Sequence, residues 1–191
     1  MERREQFLRQ LRKVLSVILS LASVALVLIG AYYLIAWSAD RDEERLRTLG
    51  ETTIATIIDR GHMKGYYGIF EYQVNGRSYQ QRESISRFDR IGEQFIVHYM
   101  KDDPMDSWVD RSRPVFLAGK EYRMTEALII DSNSVLVHYE YDVAGTRYQR
   151  TQQCPERDCG GIGAICRVSY LVSDPRFAIL DIEGCRTVKA R

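Results

Sequence analysis

The sequence carries no large excess of charge of either sign. Its 27 lysines and arginines are nearly balanced by 26 aspartates and glutamates. The part of the chain after residue 37 holds 22 basic and 24 acidic residues. Nucleic-acid-binding domains present a basic patch to the phosphate backbone. The charge balance therefore argues against nucleic acid, or any strongly charged polymer, as a partner.

Residue patterns typical of an active site are missing as well. We find no Ser/His/Asp order, no paired carboxylates at a catalytic spacing and no metal-ligand motif. The three histidines, His62, His98 and His138, are scattered and are predicted to be surface residues. The glycine-rich segment 160–163 does not open a helix after a strand, so it does not predict a dinucleotide site. The sequence thus predicts no catalytic residue, no metal and no cofactor.

Charge is missing altogether from one long segment, Val14 to Trp37. These 24 residues would form roughly 36 Å of helix, enough to cross a hydrocarbon core of ~30 Å. Five basic residues precede the segment, whereas the ten residues after it hold three arginines among four acidic residues. The positive-inside rule then places residues 1–13 in the cytoplasm and the rest outside the cytoplasmic membrane, in the periplasm or the extracellular space.

Two further features of this segment bear on its role. A cleaved signal peptide is the alternative interpretation. The apolar core of a signal peptide is about 7–15 residues long, however, and this segment has 24 residues. Tyr32, Tyr33 and Trp37 also suit the membrane interface of an uncleaved anchor. Small residues also recur on one helical face, where they would let a second helix approach closely in lipid. A membrane-protein partner or self-association is therefore expected through Ser16, Ser20, Ser23 and Gly30.

Low-complexity segments are absent, and the 191 residues include only 4 prolines. The sequence after residue 37 contains an internal repeat, in which one pattern of residues occurs twice. The matched segments are 55–59 with 127–131, 70–80 with 139–149, and 97–104 with 168–175. The offset between the copies changes only between these segments, where loops are expected. We predict two tandem β repeats, at 51–118 and 124–191, behind a helical stalk at 38–50.

Each repeat has the period-two alternation of an antiparallel β-strand. Asn75-Gly76 lies between two such runs and predicts a two-residue hairpin, which would place Tyr72 opposite Tyr79. Tyr141 would face Tyr148 in the same way around Ala144-Gly145, although alanine fits a positive φ poorly and favours a longer or bulged turn. Further strands are predicted at 94–101, 107–109, 165–172 and 178–182, with edge strands at 115–117 and 187–188. The expected fold is mainly β, two small barrel- or sandwich-like domains that pack on each other.

The two repeats resemble a family of small bacterial membrane-anchored β domains, domain of unknown function 3592. The shared pattern is Y-x-Y/F-x-V-x-G-x-x-Y followed by V-x-Y-x-x-x-D-P. The first copy carries it as Tyr72, Val74, Gly76, Tyr79, Val97, Tyr99, Asp103 and Pro104, and the second as Tyr141, Val143, Gly145, Tyr148, Val168, Tyr170, Asp174 and Pro175. The resemblance implies an anchored β domain but no established activity or catalytic residue. This chain departs from the pattern by having two copies behind one span and by its cysteines.

All four cysteines, Cys154, Cys159, Cys166 and Cys185, lie in the second repeat. An even number in a segment placed outside the cytoplasm predicts disulfide bonds. Three connectivities are possible, and we favour Cys154–Cys185 with Cys159–Cys166. A zinc site and a redox-active pair are less favoured, because the spacing matches no common zinc motif and there is no C-x-x-C.

Two functions from different classes are compatible with these features. The first is a non-enzymatic, single-pass membrane protein that presents two β domains for protein–protein interaction or for assembly of a membrane complex. The alternative is an extracytoplasmic ligand-sensing or enzymatic domain that uses the groove between the repeats. The recurring carboxylates Glu71 and Glu140 fit a binding role, but cross-strand charge pairing is the simpler interpretation. A third possibility keeps the domains in the cytoplasm with reduced cysteines.

Overall fold

The computed structural model describes residues 24–33, 41–154 and 161–187. Two helices, α1 at 24–33 and α2 at 41–49, precede ten strands. The chain divides into two compact units, Met1–Thr48 and Leu49–Arg191. All ten strands belong to the second unit.

The first unit contains part of the predicted membrane segment. Helix α1 lies within residues 14–37 and exposes large apolar side chains, with Leu26 at 69% and Val27 at 69%. No helix among the described residues is long and apolar enough to cross a membrane. Ser16, Ser20 and Ser23 lie outside the described residues, as do 14–22 and 34–37 of the predicted span, so the span stays a prediction. Helix α2 agrees with the predicted helical stalk.

The strands form two antiparallel sheets of five strands each. The first sheet has the order β3-β2-β1-β4-β5 and the second β10-β9-β6-β7-β8, so the central strand of each sheet is the first strand of its repeat. The predicted repeat is therefore confirmed at the level of strand order. The strands are β1 Glu51–His62, β2 Tyr66–Val74, β3 Arg77–Ser84, β4 Gln94–Tyr99, β5 Ser107–Val115, β6 Tyr122–Ser132, β7 Leu136–Val143, β8 Thr146–Gln153, β9 Ala164–Leu171 and β10 Asp174–Thr187.

The repeat extends to irregular features of the backbone. The β1–β2 ladder shifts register after Ile57, and the β6–β7 ladder shifts after Ile129, the residue at the same place in the second copy. At each shift a glycine N–H donates to the carbonyl oxygen, Gly92 to Ile57 at 2.7 Å and Gly163 to Ile129 at 2.8 Å. Both copies thus satisfy the carbonyl that the bulge removes from the ladder.

Both predicted hairpins are present with the predicted tyrosine pairs. Tyr72 faces Tyr79 with ring centroids 5.8 Å apart, and Tyr141 faces Tyr148 at 5.7 Å. The Tyr72 hydroxyl donates to the carbonyl oxygen of Pro104 at 2.6 Å, and the Tyr141 hydroxyl donates to that of Pro175 at 2.5 Å. The two halves of the sequence pattern are therefore joined by one hydrogen bond in each repeat.

The second hairpin turn differs from the expectation. Ala144 has a φ of 50° and Gly145 a φ of 81°, nearly the same as Asn75 at 51° and Gly76 at 77°. The turn is thus a two-residue turn like the first, with no bulge, because the ladder from Val143 to Thr146 imposes it. Alanine adopts a left-handed conformation at a cost of about 1 kcal/mol.

We expect Ala144→Asn to stabilise the protein by about 0.5–1 kcal/mol, because asparagine tolerates a positive φ and Ala144 is exposed. Asn75→Ala in the first hairpin is the matched control and should cost a similar amount. Urea unfolding midpoints of the two variants and the parent chain measure both effects. A destabilised Ala144→Asn variant would contradict the turn geometry.

Three strand predictions need correction. Residues 107–109 and 115 belong to one strand, β5, so no separate edge strand forms at 115–117. Strand β10 likewise runs through 178–182 to Thr187. Asp174-Pro175 lies between the predicted strands 165–172 and 178–182, but it begins β10, since proline is tolerated as an early strand residue that donates no hydrogen bond.

Each sheet curls around a separate apolar core. Phe70, Val97 and Ile57 are central to the first core, and Tyr139, Val168 and Ile129 to the second. Side chains join the two edge strands of each sheet. Gln81 on β3 donates to the Ser107 carbonyl on β5 at 3.0 Å, and Gln152 on β8 bonds the backbone of Leu180 on β10 at 2.9 and 3.2 Å. Side-chain hydrogen bonds thus link the two edge strands of each five-stranded sheet.

Candidate functional site

The two repeats pack on each other through different surfaces. The first repeat contributes a loop face, formed by the β3–β4 connection and the start of β4. The second contributes a strand face, formed by β7, β8 and the start of β10. The loop face contains Ser86, Phe88, Asp89 and Glu93, and the strand face contains His138, Arg150, Thr151 and Phe177. The prediction that the copies pack on each other is confirmed.

A buried ion pair lies at the centre of this interface. The guanidinium of Arg150 donates through both terminal nitrogens to the carboxylate of Glu93, with Nη2 3.1 Å from Oε2. Arg150 is 6% exposed and Glu93 7%. Arg150 also donates to the carbonyl oxygen of Arg176. Two-point pairing of this kind fixes both the distance and the orientation between the repeats.

A second buried carboxylate, Asp89, adjoins this pair. Its Oδ1 is 4.0 Å from Arg150 Nη2, and its Oδ2 accepts from Arg111 Nη2 at 2.9 Å and from the Ser86 N–H at 2.8 Å. Arg60 donates to the Asp89 carbonyl oxygen and thereby holds the same loop from the other side. The charges of Asp89 and Glu93 are thus both compensated, which burial requires.

Burial controls the protonation of these groups. It raises the pKa of Glu93, even though the positive charge of Arg150 acts in the opposite direction. Burial also acts to lower the pKa of Arg150, but Glu93 and the other acidic groups around it hold that pKa above its ordinary value. Tyr139, fully buried beneath the pair, has a raised pKa because its charged form would be desolvated. Arg150 therefore remains charged at any physiological pH.

The groove between the repeats leaves little room for a ligand. The cleft beside Glu93, Phe95, Arg150 and Phe177 has a volume of about 20 Å³, which accommodates roughly one water molecule. The polar groups that converge there already bind one another. The arrangement is suited to holding the two repeats together.

The disulfide pattern differs from the one we favoured. Cys166 on β9 is bonded to Cys185 on β10, which excludes both Cys154–Cys185 and Cys159–Cys166. Cys154 is also disulfide-bonded, and Cys159 lies outside the described residues. In the first repeat Phe95 faces Pro114 at the corresponding register, so the bond joins two positions that are neighbours in both copies. The expectation that the cysteines form disulfides is supported for these three residues.

His98 and the recurring glutamates make contacts within the folded repeats. His98 is 4% exposed, 3.9 Å from Asp110 and stacked on Trp108, so the prediction of a surface histidine is wrong for this residue. Glu71 accepts from Gln80 at 3.2 Å, and Glu140 pairs with Arg147 at 3.3 Å, as expected of cross-strand partners. Within residues 24–33, 41–154 and 161–187, no acidic, histidine or cysteine side chains are grouped as metal ligands.

Arg150, Glu93 and Asp89 are not among the residues predicted from the sequence. A signal for Arg150 was present, because it lies two residues after Tyr148 and therefore on the inward face of its strand, where the first copy has the uncharged Gln81. Glu93 and Asp89 follow no periodic pattern. Only the folded arrangement brings them to Arg150, 57 residues away from Glu93 in sequence.

Comparisons with known proteins give no family for the chain. No family model, curated protein or solved structure matches it. The resemblance to domain of unknown function 3592 therefore stays a prediction.

Proposed function

We propose that the protein is a non-enzymatic, single-pass membrane protein that presents two β repeats outside the cytoplasmic membrane as one body for protein–protein interaction. The observation that carries this proposal is the closed inter-repeat interface. Its charged groups are paired in bidentate or multiple hydrogen bonds, and its cleft is about 20 Å³ in volume. These features count against the alternative of a ligand or substrate in the groove.

Two observations support the location. The bond between Cys166 and Cys185 suits an oxidising compartment outside the cytoplasm. Helix α1 exposes a continuous set of large apolar side chains, which is typical of a segment that lipid or another helix covers. Both agree with the orientation that the arginines of residues 1–13 predict.

One experiment on spheroplasts tests location and role together. A membrane-impermeant, amine-reactive crosslinker is added outside, and the full chain is then purified in mild detergent. Lys64, Lys101 and Lys120 are exposed in the structure and should be modified. Lys13 should be modified only in permeabilised spheroplasts, which is the control. A stoichiometric protein should be recovered in covalent complex with the chain.

The possible failures of this experiment are distinct. Protection of Lys64, Lys101 and Lys120 in intact spheroplasts, with their modification only after permeabilisation, would refute the location. Modification of those three lysines on a chain that remains a single, uncomplexed species would refute the interaction role and would favour ligand sensing.

A further inference from the structure

The hairpin between β1 and β2 extends further than its counterpart in the second repeat. Past the pair of Arg60 and Gly68, the β1–β2 ladder continues through two more residue pairs. The β6–β7 ladder ends at the corresponding pair, Ser132 and Val137. The second repeat therefore folds without the hairpin end that the first repeat carries at residues 60–67.

This hairpin end also differs from its counterpart in chemistry. Its sequence, Arg-Gly-His-Met-Lys-Gly-Tyr-Tyr, combines basic and aromatic residues and contains no acidic residue. The corresponding segment 132–136, Ser-Asn-Ser-Val-Leu, is uncharged. Three residues after Tyr79, strand β3 adds Arg82 beside the hairpin end, where the second repeat has Thr151. Residues 60–67 together with Arg82 are called the cationic tip below.

A stack of side chains gives the cationic tip its shape. The Tyr67 ring lies over Gly61, where a Cβ atom would clash with the tyrosine hydroxyl group. On the Tyr67 ring lies the Arg82 guanidinium, 3.7 Å from the ring centroid, and its Nη2 is 3.4 Å from the sulfur of Met63. Among the described residues, no carboxylate binds Arg82. A guanidinium held by its face in this way presents its edge to an oxyanion such as a phosphate group.

Positive charge dominates the cationic tip, which contains Arg60, Lys64 and Arg82. Lys64 is exposed, and the Arg60 guanidinium donates to two main-chain carbonyl oxygens, neither of which carries a charge. Two carboxyl groups adjoin the tip and have partners of their own. Asp59 accepts from the N–H of Arg60 at 2.8 Å, and Glu83 accepts from a glutamine side chain at 2.6 Å.

Exposed apolar and aromatic side chains accompany these charges. Met63 is 71% exposed and Tyr66 38%, and the His62 ring packs on Tyr66 with centroids 4.6 Å apart. An open depression of about 570 Å³ lies beside them and is lined by the turn, both tyrosines and Arg82. Proteins use this combination at a membrane–water interface, where tyrosine lies among the headgroups and lysine and arginine extend their charges into water.

We infer that the cationic tip binds the surface of the membrane that anchors the chain. Arg82 and Lys64 contact the phosphate groups of anionic phospholipids, and Met63 enters the boundary between headgroups and acyl chains. The ammonium group of Lys64 stays in water at that depth. The inference rests on the anchor of the proposed function, and it adds a second point at which the chain meets the bilayer.

The predicted tether favours lipid over a protein as the occupant. Only residues 38–50 separate the predicted span from β1, so the phospholipid surface is always close to the repeats. Binding within one tethered assembly proceeds at a high effective concentration, and a few weak contacts then suffice. An acidic protein segment would match the same charges, but it would have to bind from solution.

The test places a photoreactive benzoylphenylalanine at position 63 of the full chain. The chain is reconstituted into vesicles of phosphatidylcholine, with or without an equimolar amount of phosphatidylglycerol. After irradiation, mass spectrometry should show a phospholipid adduct on the peptide that contains position 63, with a several-fold higher yield in the anionic vesicles. The same photoreactive residue at position 134, exposed in the corresponding turn of the second repeat, is the matched control and should give no lipid adduct.

Single substitutions test the role of charge. Lys64→Gln should lower the adduct yield at position 63 in anionic vesicles about fivefold, the effect of one cation near an anionic surface. Lys120→Gln removes an exposed lysine outside the cationic tip and should leave the yield unchanged. Both lysines are exposed, so neither substitution should move the thermal midpoint.

The outcomes separate this inference from the proposed function. Release of the chain from native membranes by alkaline carbonate would refute the anchor and, with it, both proposals. An anchored chain with equal adduct yields at positions 63 and 134, or with and without phosphatidylglycerol, would overturn this inference alone. In native membranes, an adduct of position 63 with a protein and not with lipid would overturn lipid binding and leave the interaction role in place.

Discussion

Replacing Arg150 with glutamine, the residue at the same place in the first repeat, should cost about 3–5 kcal/mol of unfolding free energy. The substitution leaves the carboxylate of Glu93 buried at 7% exposure without the guanidinium that binds it. It also removes the donor to the carbonyl oxygen of Arg176. Urea unfolding of the parent and variant chains, followed by tryptophan fluorescence, measures the loss.

Two controls define the cause of this loss. Arg147→Gln removes an arginine from the same strand, but its side chain is 61% exposed, so no measurable change in the unfolding midpoint is expected. Adding Glu93→Ala to Arg150→Gln reproduces the residues of the other copy at both positions. This double substitution should recover part of the stability, because no unpaired charge then remains buried. Equal losses in the single and double variants would contradict the assignment.

The loss should also depend on pH. Without Arg150, burial raises the pKa of Glu93 further, so the carboxyl takes up a proton when the chain folds. A carboxyl with a raised pKa in the folded state adds stability below its unfolded pKa of about 4.3, and this is lost as the pH rises through the folded value. The penalty of Arg150→Gln should therefore be smaller at about pH 5 than at about pH 8.

The ion pair explains how a duplicated unit can adopt one arrangement. If the two repeats had identical surfaces, the loop face of either repeat could bind the strand face of the other. Glu93 and Arg150 occur only on the faces that meet within the chain, whereas Ala164 and Gln81 stand at the other two positions. Pairing one buried charge with its partner thus favours one order over the other, which is the best-attested use of buried polar groups.

Local patterns predicted the parts of this fold that local energetics decide. Tyr72 and Tyr79 were correctly placed opposite each other because period two and the Asn-Gly turn fix the register within a few residues. The second hairpin was predicted from the repeat, but its turn was not. At Ala144 the energy of pairing two whole strands exceeds the cost of one unfavourable φ, and propensity rules weigh the residue alone.

Features that depend on distant residues were not predictable in this way. Alternation along β4 places His98 on the face opposite Val97 and Tyr99, but it cannot indicate that this part of the face is covered. The same limitation applies to Glu93, which lies next to a turn and meets Arg150 only because the two repeats dock. Periodicity reports the face on which a residue lies and leaves its partner undetermined.

The disulfide could have been predicted from the repeat by a longer argument. Phe95 and Pro114 occupy neighbouring strands at the register where the second copy has Cys166 and Cys185. Extending the alignment past Asp181 would have paired these two cysteines.

Removing the Cys166–Cys185 bond should have the second large effect. The two cysteines are 19 residues apart, and closing a loop of that length in the unfolded chain is worth about 3 kcal/mol in the chain-entropy model. We expect the double substitution Cys166→Ala and Cys185→Ala to lower the thermal midpoint by on the order of 10 °C. Differential scanning calorimetry of both chains without reductant measures the shift.

Reductant provides the control for this prediction. It should lower the midpoint of the parent chain more than that of the double alanine variant, because the variant has already lost this bond. Peptide mapping of unreduced protein should recover Cys166 linked to Cys185. A peptide linking Cys166 to Cys154 or Cys159 would refute the connectivity. A midpoint unchanged by the substitution would show that the β9–β10 ladder suffices without the covalent bond, as the β4–β5 ladder, which holds Phe95 opposite Pro114, does in the first repeat.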